Sequence, residues 1–297
     1  MDGFLLSIFG SVLGVVLFNK LSDLGPWGRL VGFLIALPYF ALFESNLGDG
    51  QTVGKWLLRL RVVNSQGRKI SLEESLLRYF VFAIPFFLNL LELPTSLTPR
   101  IAYPLLAILV FGVGGTTLYL LTFNRNTRQG LHDLAVGAYV VEARQSGPVE
   151  TKPISKIHWM ILGLLAVVLT LSAVIVERKF SQSADFTQLL QDDRLIENMS
   201  GVQRAGAQNV YESNFRSGDH KRFLVITIYV TSDSPDGQAF ADEVAKTILE
   251  EGQPLQQYSR LTITVIHGYD LGFASGWRSN SFSHTPVEWS QRIIGIL

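Results

Sequence analysis

Residues 157–176 read IHWMILGLLAVVLTLSAVIV, 20 residues without an Asp, Glu, Lys or Arg, set between Lys156 and Glu177. A helix of about 20 apolar residues covers the hydrocarbon core of a bilayer. A buried helix of a soluble domain keeps a polar stripe, and this run has none, so a membrane span is expected. Residues 101–124 are 24 residues with no formal charge and form a second clear span. Gly112, Gly114 and Gly115 inside it offer a neighbouring helix a close approach, or simply loosen the backbone. Residues 3–19 are 17 uncharged residues, at the short end of a span. Two shorter runs, 30–43 and 79–91, carry Pro38 and Pro85 and end at Glu44 and Glu92. Polar flanks such as Ser45-Asn46 and Thr95-Ser96 extend both to a full crossing. Five spans are therefore expected, at about 3–19, 28–46, 77–96, 101–124 and 157–176. The start Met1-Asp2 is acidic and Phe18-Asn19-Lys20 offers no small-residue cleavage site, so the first helix is expected to stay uncleaved.

Charge orients such a bundle. Loop 44–78 holds Lys55, Arg59, Arg61, Arg68, Lys69 and Arg78, and segment 125–156 holds Arg125, Arg128, Arg144, Lys152 and Lys156. The other connections hold only Lys20, Arg29 and Arg100. Because Lys and Arg concentrate on the cytoplasmic side, the N-terminus and both basic loops are expected inside and everything after Glu177 outside. The formal net charge of zero argues against nucleic acid as a partner. The absence of Cys excludes disulfides, thiolate metal sites and a Cys nucleophile.

The first basic loop is not expected to bind nucleotide. A phosphate loop needs Gly five residues before its Gly-Lys pair and Ser or Thr after it, and here those positions are Asp49 and Trp56. Trp56, Leu57, Leu58 and Leu60 alternate with Lys55, Arg59 and Arg61, a pattern suited to the lipid interface. Residues 64–67 predict a turn between two short extended pieces, 61–63 and 69–71. Ser71 and Glu74 have capping-box spacing and start the third helix. In the second basic segment, Asp133 is expected to pair with Arg128 or another loop arginine and fix the loop at the helix end.

Together, YFALFESN (39–46), GQTVGKWLLRLRVVNSQG (50–67), Ile70-Ser71, Leu76-Leu77-Arg78 and RQGLHDLAVGAYVV (128–141) resemble the RDD family over roughly residues 1–143. The resemblance makes Gln51, Thr52, Gly54, Lys55, Arg78, Gly130, His132 and Asp133 family-motif positions, with Asp133 matching the second aspartate of the family's name. The first arginine and aspartate of that name belong to an R-x-x-A-x-x-I-D pattern. Asp2 stands at a suitable distance before Tyr39 to be that aspartate, with its arginine upstream of Met1. The alternative register, Arg29 with Ala36, keeps the arginine and loses the acid. What the resemblance implies is a polytopic membrane protein, with transport of ions or small solutes proposed for the group.

After a cytoplasmic linker at 144–156 and the fifth span, residues 177–297 are long enough for one core. Their expected order is α-β-β-α-β-β-α: a helix from Asp185, a weak strand from Val202, and a central strand from Arg222. A helix from Asp236 to Glu251 stopped by Gly252, strands through Leu261 and Phe273, and a helix capped by Thr285 and Glu288 complete it. The fold class is thus an N-in, C-out membrane α-helical bundle followed by a small α+β extracytoplasmic domain. Tyr269, Asp270, Phe273, Trp277 and Arg278 either line a peptide or lipid groove or cover a sheet face. His220, His267 and His284 are too far apart for a zinc motif, and no catalytic constellation occurs, so neither cofactor nor enzyme activity is expected. Two functions compete. One is a transporter; the other is a non-transporting anchor whose exported domain binds an envelope protein or peptide. The bilayer, a second copy of the chain and that envelope partner are the expected contacts.

Overall fold

The computed structural model describes all residues except 90, 92–98, 151, 214–219, 232–236 and 295–297. The expected end of the third span at Glu92 and Thr95-Ser96, and the expected helix start at Asp236, lie outside the described residues.

The apolar runs fold as helices. α1 (Asp2–Ser22) and α2 (Gly28–Glu44) are joined by a tight 3-10 turn at Gly25–Trp27. α1 is kinked at Leu17, whose φ/ψ of −118°/23° leaves the helical region. α4 (Leu72–Leu88) follows a short α3 (Val53–Leu57) and strand β1 (Leu60–Asn64). It begins with the expected capping box: Glu74 N donates to Ser71 Oγ at 3.2 Å, and Ser71 N to Glu74 Oε2 at 2.7 Å. α5 (Pro99–Ala107), a π-helical stretch (Ile108–Val113) and α6 (Gly114–Phe123) make one continuous apolar helix. Here Gly114 faces Pro85 of α4 and Gly112 faces Leu169, so two of the three glycines sit at helix contacts. A short α7 (Leu131–Leu134), strand β2 (Ala138–Glu142) and the long α8 (Lys156–Ser181) complete this half.

Among the described residues, four helices are long and apolar enough to cross a membrane: Asp2–Ser22, Gly25–Glu44, Ala102–Phe123 and Lys156–Lys179. α4 has 17 residues, about 26 Å of helix. It packs antiparallel to α2, with Tyr79 stacked on Phe40 at 4.5 Å and Phe87 edge-on to Phe33 at 5.7 Å.

The loop expectation needs one correction. Residues 69–71 are not a strand. β1 pairs instead with β2, antiparallel, Val62 opposite Val140. The turn at 64–67 forms, with Gly67 N donating to Asn64 O, but the alternating sequence AYVVE of β2 supplies the ladder. Val62, Ile70 and Ala138 are buried between the two basic segments, which fold as one unit.

The C-terminal domain has the expected element order: α9 (Ala184–Glu197), β3 (Val202–Ser213), β4 (His220–Val230), α10 (Gly237–Glu251), β5 (Arg260–Asp270), β6 (Ser275–His284) and α11 (Pro286–Ile294). Its sheet runs β3-β4-β5-β6, with β4 and β5 parallel and the outer pairs antiparallel. β4 is central, as its β-branched sequence predicts. Leu224, Ile226, Ile228, Leu261 and Ile263 pack under Phe240, Val244 and Ile248 of α10. Trp289 of α11 is fully buried there and donates its indole N–H to Leu261 O at 3.0 Å. α11 starts as its sequence predicts, with Thr285 and Glu288 exchanging cap hydrogen bonds. β5 runs several residues past Val265 and turns into β6 over residues 271–274. This projecting hairpin leaves its own domain and enters the helical half.

Candidate functional site

The bundle has two ends. At one, the N-terminus meets both basic loops. Asp2 of α1 accepts from the Tyr39 hydroxyl at 2.7 Å, from Thr52 Oγ1 at 2.8 Å and from Gly54 N at 2.9 Å. Gly54 is glycine for a steric reason, since a Cβ there would overlap the Asp2 carboxylate. Thr52 caps α3, so loop geometry aims Thr52 and Gly54 together at the acid.

Next to this lies a chain of buried charges. Lys55 Nζ pairs with Glu44 Oε1, and Arg78 Nη1 pairs with Glu44 Oε2. The same guanidinium grips Asp133 Oδ1 through Nε at 2.9 Å and Nη2 at 2.7 Å. Glu44, Arg78 and Asp133 are 2%, 7% and 4% exposed. Asp133 Oδ2 accepts from Gly130 N at 3.0 Å, closing the turn into α7. Gln51 and Gln129 tie the loops to the strands, donating to Leu60 O and Ala138 O. His132 packs edge-on to Phe82, its Nε2 3.4 Å from Asp133 Oδ2 and its Nδ1 buried without a partner. Burial holds His132 below its ordinary pKa, against the pull of Asp133.

The family-motif positions Asp2, Gln51, Thr52, Gly54, Lys55, Arg78, Gly130, His132 and Asp133 therefore meet at one end of the bundle. Asp133 pairs with an arginine, but with Arg78 of helix α4 and not with Arg128 of the loop, which is exposed in a left-handed turn with φ 51°. Two members escaped the sequence reading. Tyr39 was visible only as part of a motif, and Glu44 read as an ordinary helix-end charge. Among these side chains three carboxylates face two cations.

At the opposite end, the five residues considered as a groove also come together, against the helical half. Tyr269 and Phe273 are buried on α1, and Leu271 lies between α2 and α4. Asp270 pairs with Arg29 of α2 at 2.8 Å. Arg278 lies over the Phe18 ring at 4.3 Å, and Trp277 packs edge-on to Tyr229 at 5.6 Å, both at the rim. Among the described residues no group of His, Asp and Glu is arranged to hold a metal ion.

The apolar helices together with these motifs define a multi-pass integral membrane protein, its helices in contact with the lipid bilayer. Residues 1–137 match the RDD family, the one the loop motifs resemble, and the match stops before the C-terminal domain, which no family covers. No curated protein matches the chain, and no solved structure does.

Proposed function

We propose that this protein moves an ion or small solute across the cytoplasmic membrane, with a cation as the charged species. The basic loops face the cytoplasm and the C-terminal domain lies outside, as the distribution of Lys and Arg supports. The observation that carries the reading is the cluster of Asp2, Glu44 and Asp133 with Lys55 and Arg78, in which Glu44, Arg78 and Asp133 are buried. Ionisable groups inside a membrane bundle mark ion paths by default, and this cluster stands at the loop end of the helices, where such a path would open. This cluster holds one carboxylate more than it holds cations, and the direct donors to Asp2 are neutral. A proton or small cation would balance it. The full chain in proteoliposomes should carry Na⁺, K⁺ or H⁺ faster than empty vesicles do, and Glu44→Gln should slow that flux. Absence of flux for all three ions would sink the reading.

A second reading is a non-transporting anchor. It is favoured by β6, an edge strand whose residues 275 and 277–281 are exposed and open to strand addition by an extended envelope peptide. Capture of one defined partner by the full chain, lost on Trp277→Ala, would support it.

A further inference from the structure

The C-terminal domain does not hang from α8 alone. Residues 267–277 enter the helical half and share a core with it. Tyr269, Leu271, Phe273 and Ala274 are buried with Leu21, Ala36, Tyr79, Ala83 and Phe87. The receiving surface is made by glycines spaced four apart, Gly10 and Gly14 on α1 and Gly28 and Gly32 on α2, so each pair lies on one helix face. A Cβ at these positions would overlap Ala274, the Tyr269 ring, Asp270 O and Leu271 O respectively. Ser22 and Gly10 are separated by roughly 18 Å of helix. The hairpin tip therefore reaches about half the depth of a ~30 Å hydrocarbon core. α1 kinks at Leu17, beside the entry point.

Strand backbone at that depth cannot face lipid. It is tolerated only where protein buries it or water lines it. The inner side of this hairpin is buried, while Ser275 and Trp277 on its β6 edge are exposed, and His267 Nε2 is buried without a partner beside Phe18. The hairpin thus fills a cleft whose walls are protein on its inner side. One side chain fastens it. Arg29 donates to Asp270 Oδ2 through Nε at 2.9 Å and also reaches Phe87 O and Asn89 O at the end of α4. Asp270 Oδ1 in turn accepts from Gly272 N at 2.7 Å and shapes the tip.

We propose that the β5–β6 hairpin is a displaceable plug that closes the outer half of the cleft between α1, α2 and α4, with Arg29–Asp270 as its latch. Its effect on flux rests on the transport reading above; its release from the groove does not. Breaking the latch removes charge-assisted hydrogen bonds and shifts the hairpin toward the released state.

The chain has no Cys, so introduced thiols report alone. The full chain in phosphatidylethanolamine–phosphatidylglycerol vesicles would be treated with a membrane-impermeant maleimide. Ala274→Cys should label slowly, and adding Asp270→Asn or Arg29→Gln should speed labelling roughly tenfold or more. Asp270→Asn and Arg29→Gln should each raise cation flux above that of the unaltered chain. Equal labelling with and without the latch in both variants overturns the plug, as does cation flux unchanged in both. Absence of flux in every variant overturns the transport reading, while faster labelling still upholds the latch.

Discussion

Arg78 holds the cluster together because its planar fork reaches two carboxylates at once, Asp133 through Nε and Nη2 and Glu44 through Nη1. Removing one partner of a buried pair leaves the other charge uncompensated. Arg78→Ala should cost about 3–5 kcal/mol, read as thermal unfolding in detergent. Arg78→Lys should rescue little, since a point charge cannot replace the fork; full rescue would show that charge alone matters. His132 gives a pH signature. Its folded pKa is depressed below the ordinary 6.5, so its neutral form is the one the fold accommodates. That stability is fully present above about pH 6.5 and is lost as pH falls through the folded value. His132→Gln should flatten the acid side of a Tm-versus-pH curve; an unchanged curve would remove His132 from the account. The need of Asp133 for an arginine could be read from sequence. Its choice could not, because Arg128 is five residues away along the chain yet turned outward, while Arg78 arrives from α4.

Helices and strands with strong periodicity declared themselves. The 157–176 run, α10 and α11 follow from spacing and caps, and Thr285→Ala should cost about 1 kcal/mol of C-terminal-domain stability by unfolding. α1 was legible only as a span. Its glycine pair looked like ordinary small-residue packing between helices, and nothing local says that the partner is a strand arriving more than 250 residues later. Gly14→Leu fills the space that Tyr269 occupies. It should expel the hairpin, read as new protease cleavage within 270–278 in otherwise intact protein; unchanged protection would count against the groove. The strand predicted at 69–71 failed for a related reason: β1 needs a partner, and the better-alternating β2 lies in the other basic loop.

At the scale of the whole molecule, the neutral charge divides. Residues 1–156 carry 14 Lys+Arg and 10 Asp+Glu, and residues 157–297 carry 11 and 15. The structure adds that both basic segments join in one small sheet at one end of the bundle, while the C-terminal domain sits at the other end, where Gln203 donates to Ser22 O at 2.8 Å. The proposed orientation can be tested with reporter fusions. Fusions at Arg68 and Arg144 should report cytoplasm and a C-terminal fusion the outside; a cytoplasmic C-terminus would break the five-span arrangement. The sequence by itself determined the long apolar helices and the element order of the C-terminal domain, because apolar run length, periodicity and caps act over a few neighbouring residues. Only the tertiary structure decided that Glu44 bridges Lys55 and Arg78, and that a soluble-looking hairpin lies among membrane helices. Those contacts join segments far apart in the chain, and their partners are selected by shape and charge in three dimensions.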